Sequence, residues 1–189
     1  MIKRAFLLGF VIIGVSYSLY GQQPPDDWDL ADSQVKRIQP AVFSKLPKSL
    51  VGELQARRCT IPQTYGNRTL HNVIHGEFAK KGQTDWAVLC SKNRVSSILI
   101  FWGGSEKNVS EIAKGLDKGF LQGIGNGQIG YSREISVVGR KYILDHYKAY
   151  GGPKPPPISH VGINDAFIEK GSTVRYYYAG KWLELTGAD

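Results

Sequence analysis

The sequence predicts an α+β protein, mainly antiparallel β-sheet, with a helix on its N-terminal side, one or two short further helices and one disulfide. Three observations carry this. Apolar residues alternate or run continuously in short blocks parted by Lys-, Asn- and Gly-bearing turns. After Leu46, apolar residues recur at helical spacing. Two cysteines, Cys59 and Cys90, stand in a chain that opens like an exported protein.

That opening has the order of a secretory signal. Lys3 and Arg4 precede an apolar run from Ala5 to Val15, and Ser16, Ser18 and Gly21 lead into Gln22-Gln23-Pro24-Pro25. A signal peptide over residues 1–21 is expected, cut after Gly21, with Ser18 as a second candidate. Ala5 to Tyr20 is shorter than the ~20 apolar residues of a membrane span. No Cys lies near the cut, which argues against a lipid anchor, and no later segment resembles a span. The mature chain is therefore expected in the periplasm or outside the cell, with no membrane span after cleavage.

Residues 22–45 read as a polar leader and linker, and 46–189 as a single α+β domain, enough chain for one sizeable core. The formal charge is +8, and loss of Lys3 and Arg4 with the signal lowers it by two. Basic residues are scattered in pairs such as Arg57-Arg58 and Arg140-Lys141. Nucleic-acid binding calls for a clustered stripe or a recognisable fold, and neither is visible. A mild attraction to acidic polymers outside the membrane fits better.

Taken in order, Asp32 to Ser44 is ambiguous. Pro47 suits a helix start, and Leu50, Val51 and Leu54 share a face up to Arg58, before Ile61-Pro62 forces extended backbone. Leu70–Phe78, Thr84–Cys90 and Val95–Trp102 read as a three-strand antiparallel meander, the last covered on both faces. Asn108 with Glu111 suggests a capped short helix bearing Val109, Ile112 and Leu116. Phe120–Ser132 reads as a glycine-rich loop, Arg133–Val138 as a strand, and Arg140–Tyr150 as a helix stopped by Gly151-Gly152-Pro153. Pro155-Pro156-Pro157 is a stiff connector. Ser172–Tyr178 and Lys181–Leu185 form a closing hairpin around Ala179-Gly180. Cys59 and Cys90, in an oxidising compartment, are expected to form one disulfide that ties the helix end to a central strand.

Gly76, Phe78, Gly82, Asp85, Ala87 and Val88 stand in register with the pattern G-D-F-N-G-D-G-x-x-D-[LW]-A-V. This segment resembles a hairpin of the FG-GAP/VCBS repeats, whose loop acids and Asn bind calcium and whose copies build a propeller. Here Ala79 and Lys81 replace the loop Asn and Asp, so the resemblance implies a turn geometry and no metal site. It covers about a dozen residues and occurs once, where a propeller needs several blades. As a whole the chain is similar to small exported bacterial proteins, a likeness that implies no function.

Other candidate chemistry is sparse. Gly125-Asn126-Gly127-Gln128-Ile129-Gly130 matches G-x-G-x-x-G, but a strand and not a helix is expected to follow, so no dinucleotide or other cofactor is implied. His71, His75 and Glu77 alternate onto one side of a strand, yet residues four apart there lie more than ~13 Å apart, too far to share one ion. His160 and Asp165, with His146 and Asp145 nearby in sequence, form the one cluster suited to acid–base work. No nucleophile elbow, zinc-protease helix or serine signature accompanies it. Arg175, Tyr176, Tyr178 and Trp182 make an aromatic, basic hairpin suited to sugar rings or a protein partner. The expectation is an exported, non-catalytic binding module of the envelope, with polysaccharide or another exported protein as ligand. The alternatives are a periplasmic hydrolase using His160 and Asp165, or a secreted inhibitor.

Overall fold

The computed structural model describes residues 26–188. The signal segment expected over residues 1–21, and Gln22 to Pro25 of the leader, lie outside the described residues.

The stretch expected to be a polar linker carries structure. Helix α1 (Asp27–Gln34) starts at Asp26, whose carboxylate accepts the Asp29 N–H at 2.7 Å. Asp32 at its far end is buried and receives Arg37 at 2.7 Å and Arg94 at 3.1 Å. Arg37 also grips the fully buried Asp117 at 2.8 Å. Burial opposes the charge on Arg37, but its bonds to Asp117 and Asp32 outweigh this and hold its pKa above the ordinary value. A short strand β1 (Arg37–Ile38) and a 3-10 turn (Pro40–Val42) complete a region that the sequence left ambiguous, because its order comes from these distant ion pairs.

Helix α2 (Lys48–Ala56) begins after Pro47 as expected and buries Leu50 and Leu54. Strand β2 (Ile61–Pro62) pairs with β1. Strands β3 (Val73–Gly76), β4 (Asp85–Lys92) and β5 (Val95–Phe101) form the expected antiparallel meander. Residues 96–101 of β5 are all buried, as a strand covered on both faces must be.

The segment expected to be a capped helix is instead strand β6 (Val109–Leu116), the fourth of this sheet. Its apparent helical face dissolves in extended backbone. Val109 packs on one side of the sheet and Ile112 on the other, while Leu116 is exposed. A bulge at Ala113, with φ of 56°, shifts the register and bends the strand. The edge of β5 takes this segment as a strand, with Val109, Ser110, Glu111 and Ile112 opposite Phe101, Ile100, Leu99 and Ile98.

The glycine-rich stretch is likewise ordered, as a hairpin of β7 (Leu121–Gly123) and β8 (Ile129–Tyr131). Gly125, Asn126 and Gly127 all take positive φ in its turn. A second sheet follows: β9 (Arg133–Val138), helix α3 (Arg140–Tyr150), β10 (Gly162–Phe167), β11 (Gly171–Tyr178) and β12 (Lys181–Ala188). Its strand order is β12-β11-β10-β9, all antiparallel. The final hairpin turns at Ala179 and Gly180, both with positive φ, matching the twist of its strands.

Alternation along the strands produces four layers. Val88, Cys90, Leu99 and Phe101 face α2. Ala87, Leu89, Ile98 and Ile100 face the second sheet, meeting Ile135 and Ile163. The outer face of that sheet, with Val174, Tyr176 and Leu185, packs on Ile143 of α3. The protein is thus an α+β sandwich of helix, sheet, sheet and helix. Cys59, after α2, is bonded to Cys90 in β4, so one disulfide fastens the first helical layer to its sheet. No helix among the described residues is long and apolar enough to cross a membrane.

Candidate functional site

The two sheets meet along one side, where their outer strands β3 and β9 touch. On the other side the outer strands are β6 and β12. There an open cleft of about 570 Å³ lies between the bulge of β6 and the ends of β10, β11 and β12.

Two arginines reach the cleft from inward-facing strand positions. Arg133 is 1 % exposed. It donates through Nε and Nη2 to the two oxygens of Asp165, at 2.9 and 3.0 Å. It crosses to the other sheet to reach Ser96 and the Ala113 carbonyl, and lies 4.3 Å over the Phe120 ring. Every part of this guanidinium is therefore held, as a charge buried between sheets must be.

Arg175 is held less completely. It is 8 % exposed and ion-paired with Glu184, its cross-strand partner on β12. Its Nη2 stands 3.5 Å from Asp165 Oδ2, and its Nε is buried without a hydrogen-bond partner. Burial, with some repulsion from Arg133, pushes its pKa below the ordinary arginine value, against the pull of Asp165. Lys114 and Lys170, both exposed, bring further positive charge to the cleft.

Two residues along β11 from Arg175, on the same face, is Tyr177. It contacts Trp182 of β12 and Trp102 at the end of β5, with centroids 5.2 and 4.7 Å apart. Trp102 and Trp182 stack at 5.9 Å, and Trp102 Nε1 donates to Ser110 Oγ at 2.8 Å. All three rings are half-buried. By strand rise, this aromatic cluster begins about 7 Å from Arg175.

The structure divides the residues singled out from sequence. Arg175 and Trp182 share the face described above. Tyr176 points the other way and is fully buried, with its hydroxyl accepting the Ser159 N–H at 3.0 Å and its ring on His160. Tyr176 therefore serves the core beneath α3. Tyr178 is 45 % exposed at the hairpin end. His160 is also buried, its ring 4.4 Å from that of Tyr176 and its Nδ1 3.0 Å from the Val161 carbonyl. Asp165 spends both oxygens on arginine. Three extended residues of β10 separate Gly162 from Asp165, about 10 Å of strand, so His160 and Asp165 are not in hydrogen-bond reach.

His71, His75 and Glu77 are dispersed. His71 accepts the Thr64 N–H at 2.7 Å, His75 packs on Trp86, and Glu77 accepts the Gly82 N–H. Among the described residues no group of three metal-ligating side chains occurs. At the start of β4, the buried Asp85 accepts from the backbone N–H groups of Ala79 and Gly103, at 2.8 and 2.7 Å.

Arg133, Glu184, Trp102 and Tyr177 escaped the sequence reading. The available signal was positional: Arg133 sits at an inward step of a strand whose other inward residues are Ile135 and Val137. No known protein family, curated protein or solved structure matches this chain.

Proposed function

We propose that this protein is an exported, non-catalytic binding module of the bacterial envelope that holds an acidic polysaccharide on the β6/β12 side of its sandwich. One observation carries the reading: a cationic cleft around a buried, incompletely partnered arginine stands one same-face step along β11 from a half-exposed cluster of two tryptophans and a tyrosine. Aromatic faces stack on sugar rings, while arginine and lysine take the acidic substituents. The scattered positive charge of the chain supports attraction to such a polymer. The disulfide and the signal-like opening are consistent with work outside the cytoplasm.

The test is retention of the oxidised protein on immobilised polygalacturonate and on cellulose. The measurement is made in about 0.15 M salt, where exposed charges more than ~8 Å apart are largely screened. Saturable retention on polygalacturonate, reduced by Trp182→Ala, is expected. Equal retention on both matrices, or none on either, would contradict the reading.

A further inference from the structure

Resting on that reading, we propose that Glu184 is a built-in stand-in for the ligand's own acidic group. On binding, a carboxylate or sulfate ester of the polysaccharide displaces Glu184 and takes its place on Arg175.

Arg175 lacks a full set of partners. Its charge is permanent, so it needs an anion wherever it is buried. Asp165 is the nearest candidate, yet both its oxygens already accept from Arg133, and it stands 3.5 Å from Arg175 Nη2. That leaves Glu184 as the close partner, through Nη1, while Nε has none. Nε lies on the edge shared with Nη2, which faces Asp165, so only Nη1 is turned to the exposed Glu184.

The two partners also differ in exposure. The Arg175 side chain is 10 % exposed and that of Glu184 53 %. A carboxylate this exposed recovers its hydration on leaving, so its release costs little. The guanidinium cannot follow it into water. An arriving anion therefore replaces Glu184 at small net cost and meets the Nη1 donor that Glu184 vacates.

The surroundings favour the exchange. The remaining charged side chains of the cleft besides the arginines and Asp165 are Lys114 and Lys170, both positive. One step further along the two strands, the hydroxyls of Thr173 and Thr186 lie 3.3 Å apart and give neutral hydrogen-bonding groups. The aromatic cluster lies in the opposite direction. A chain with acidic substituents would thus have its charged group at Arg175 and a neighbouring ring on Tyr177 and Trp182.

The experiment titrates trigalacturonate and a sulfated, carboxylate-free carrageenan oligosaccharide into wild type, Glu184→Gln and Arg175→Gln. Affinity is read by calorimetry, and the Arg175 Nε–H resonance by NMR. Glu184→Gln removes the internal competitor and should bind the favoured probe several-fold tighter. Arg175→Gln should bind about tenfold weaker. The stronger of the two probes assigns the anion as carboxylate or sulfate. If wild type binds and Glu184→Gln does not bind more tightly, the stand-in role is overturned while the binding module survives. Inorganic sulfate supplies the independent arm. It should move the Arg175 Nε–H resonance more in Glu184→Gln than in wild type, even if no polysaccharide binds. A resonance unmoved by sulfate in both proteins overturns the subsite regardless of the saccharide results. Glu184→Gln keeps a hydrogen-bonding side chain of the same size opposite Arg175, and a thermal melt of each variant, run beside the titrations, separates a folding defect from a binding effect.

Discussion

Arg133 and Asp165 show what one buried charge demands of its neighbours. Asp165→Ala would leave Arg133 between two sheets without its carboxylate, and a loss of about 3–5 kcal/mol is expected. Chemical denaturation gives this directly, and a change under about 1 kcal/mol would mean that Ser96 and Ala113 suffice. Tyr176→Ala should also destabilise, by about 3–5 kcal/mol, through its lost core contacts, while retention on polygalacturonate persists in the folded fraction. At this scale the sequence was informative where chemistry is local. Cys59 and Cys90 could be paired from their number and the signal-like opening of the chain. Arg175 was singled out for its aromatic neighbours in sequence, but its importance comes from Asp165 and Glu184, which only the strand register brings to it. Tyr176 and Tyr178 looked equivalent by alternation, yet α3 covers the first and leaves the second exposed.

Elements depend on partners in a similar way. The meander of β3, β4 and β5, the start of α2 and the final hairpin were legible because their turns and apolar periods are local. Strand β6 was not, since its Val109, Ile112 and Leu116 match a helical period by coincidence. Only the free edge of β5 and the bulge at Ala113 decide between the alternatives. Helix α1 was missed because it depends on Arg37 and Arg94 from beyond its own sequence. Its start is sensitive to acid. The Asp29 N–H and Lys118 hold the Asp26 pKa below its ordinary 3.8, so the carboxylate supports folding above that pH. This support is lost as pH falls through the lowered value. Amide protection factors at Trp28–Asp32 should fall below about pH 3.8 before those of the sheets do. Simultaneous loss of both would contradict this order. Where α3 crosses β12, a Cβ on Gly187 would stand 2.3 Å from the Tyr150 ring. Gly187→Ala should therefore cost about 1–3 kcal/mol, seen as a lowered Tm, as α3 is pushed from its sheet.

Across the whole molecule, the disulfide and the open side serve different ends. The Cys59–Cys90 bond spans 31 residues of sequence, so its removal should cost about 3–4 kcal/mol in the loop-entropy account. Cys59→Ala/Cys90→Ala should unfold at correspondingly lower denaturant, yet keep the cleft, which lies toward the other sheet. The fold class could be read from the chain, but the pairing of two sheets with a closed and an open side could not. That arrangement depends on which outer strands meet, and no local pattern encodes it. The central claim is that an acidic polysaccharide occupies this open side. Calorimetric titration of wild type and Trp182→Ala with trigalacturonate, beside an uncharged cello-oligosaccharide, tests it most directly. The account predicts saturable binding of trigalacturonate by wild type, weakened by Trp182→Ala, and little heat from the uncharged sugar. Equal binding of both sugars, or trigalacturonate binding indifferent to Trp182, would contradict it.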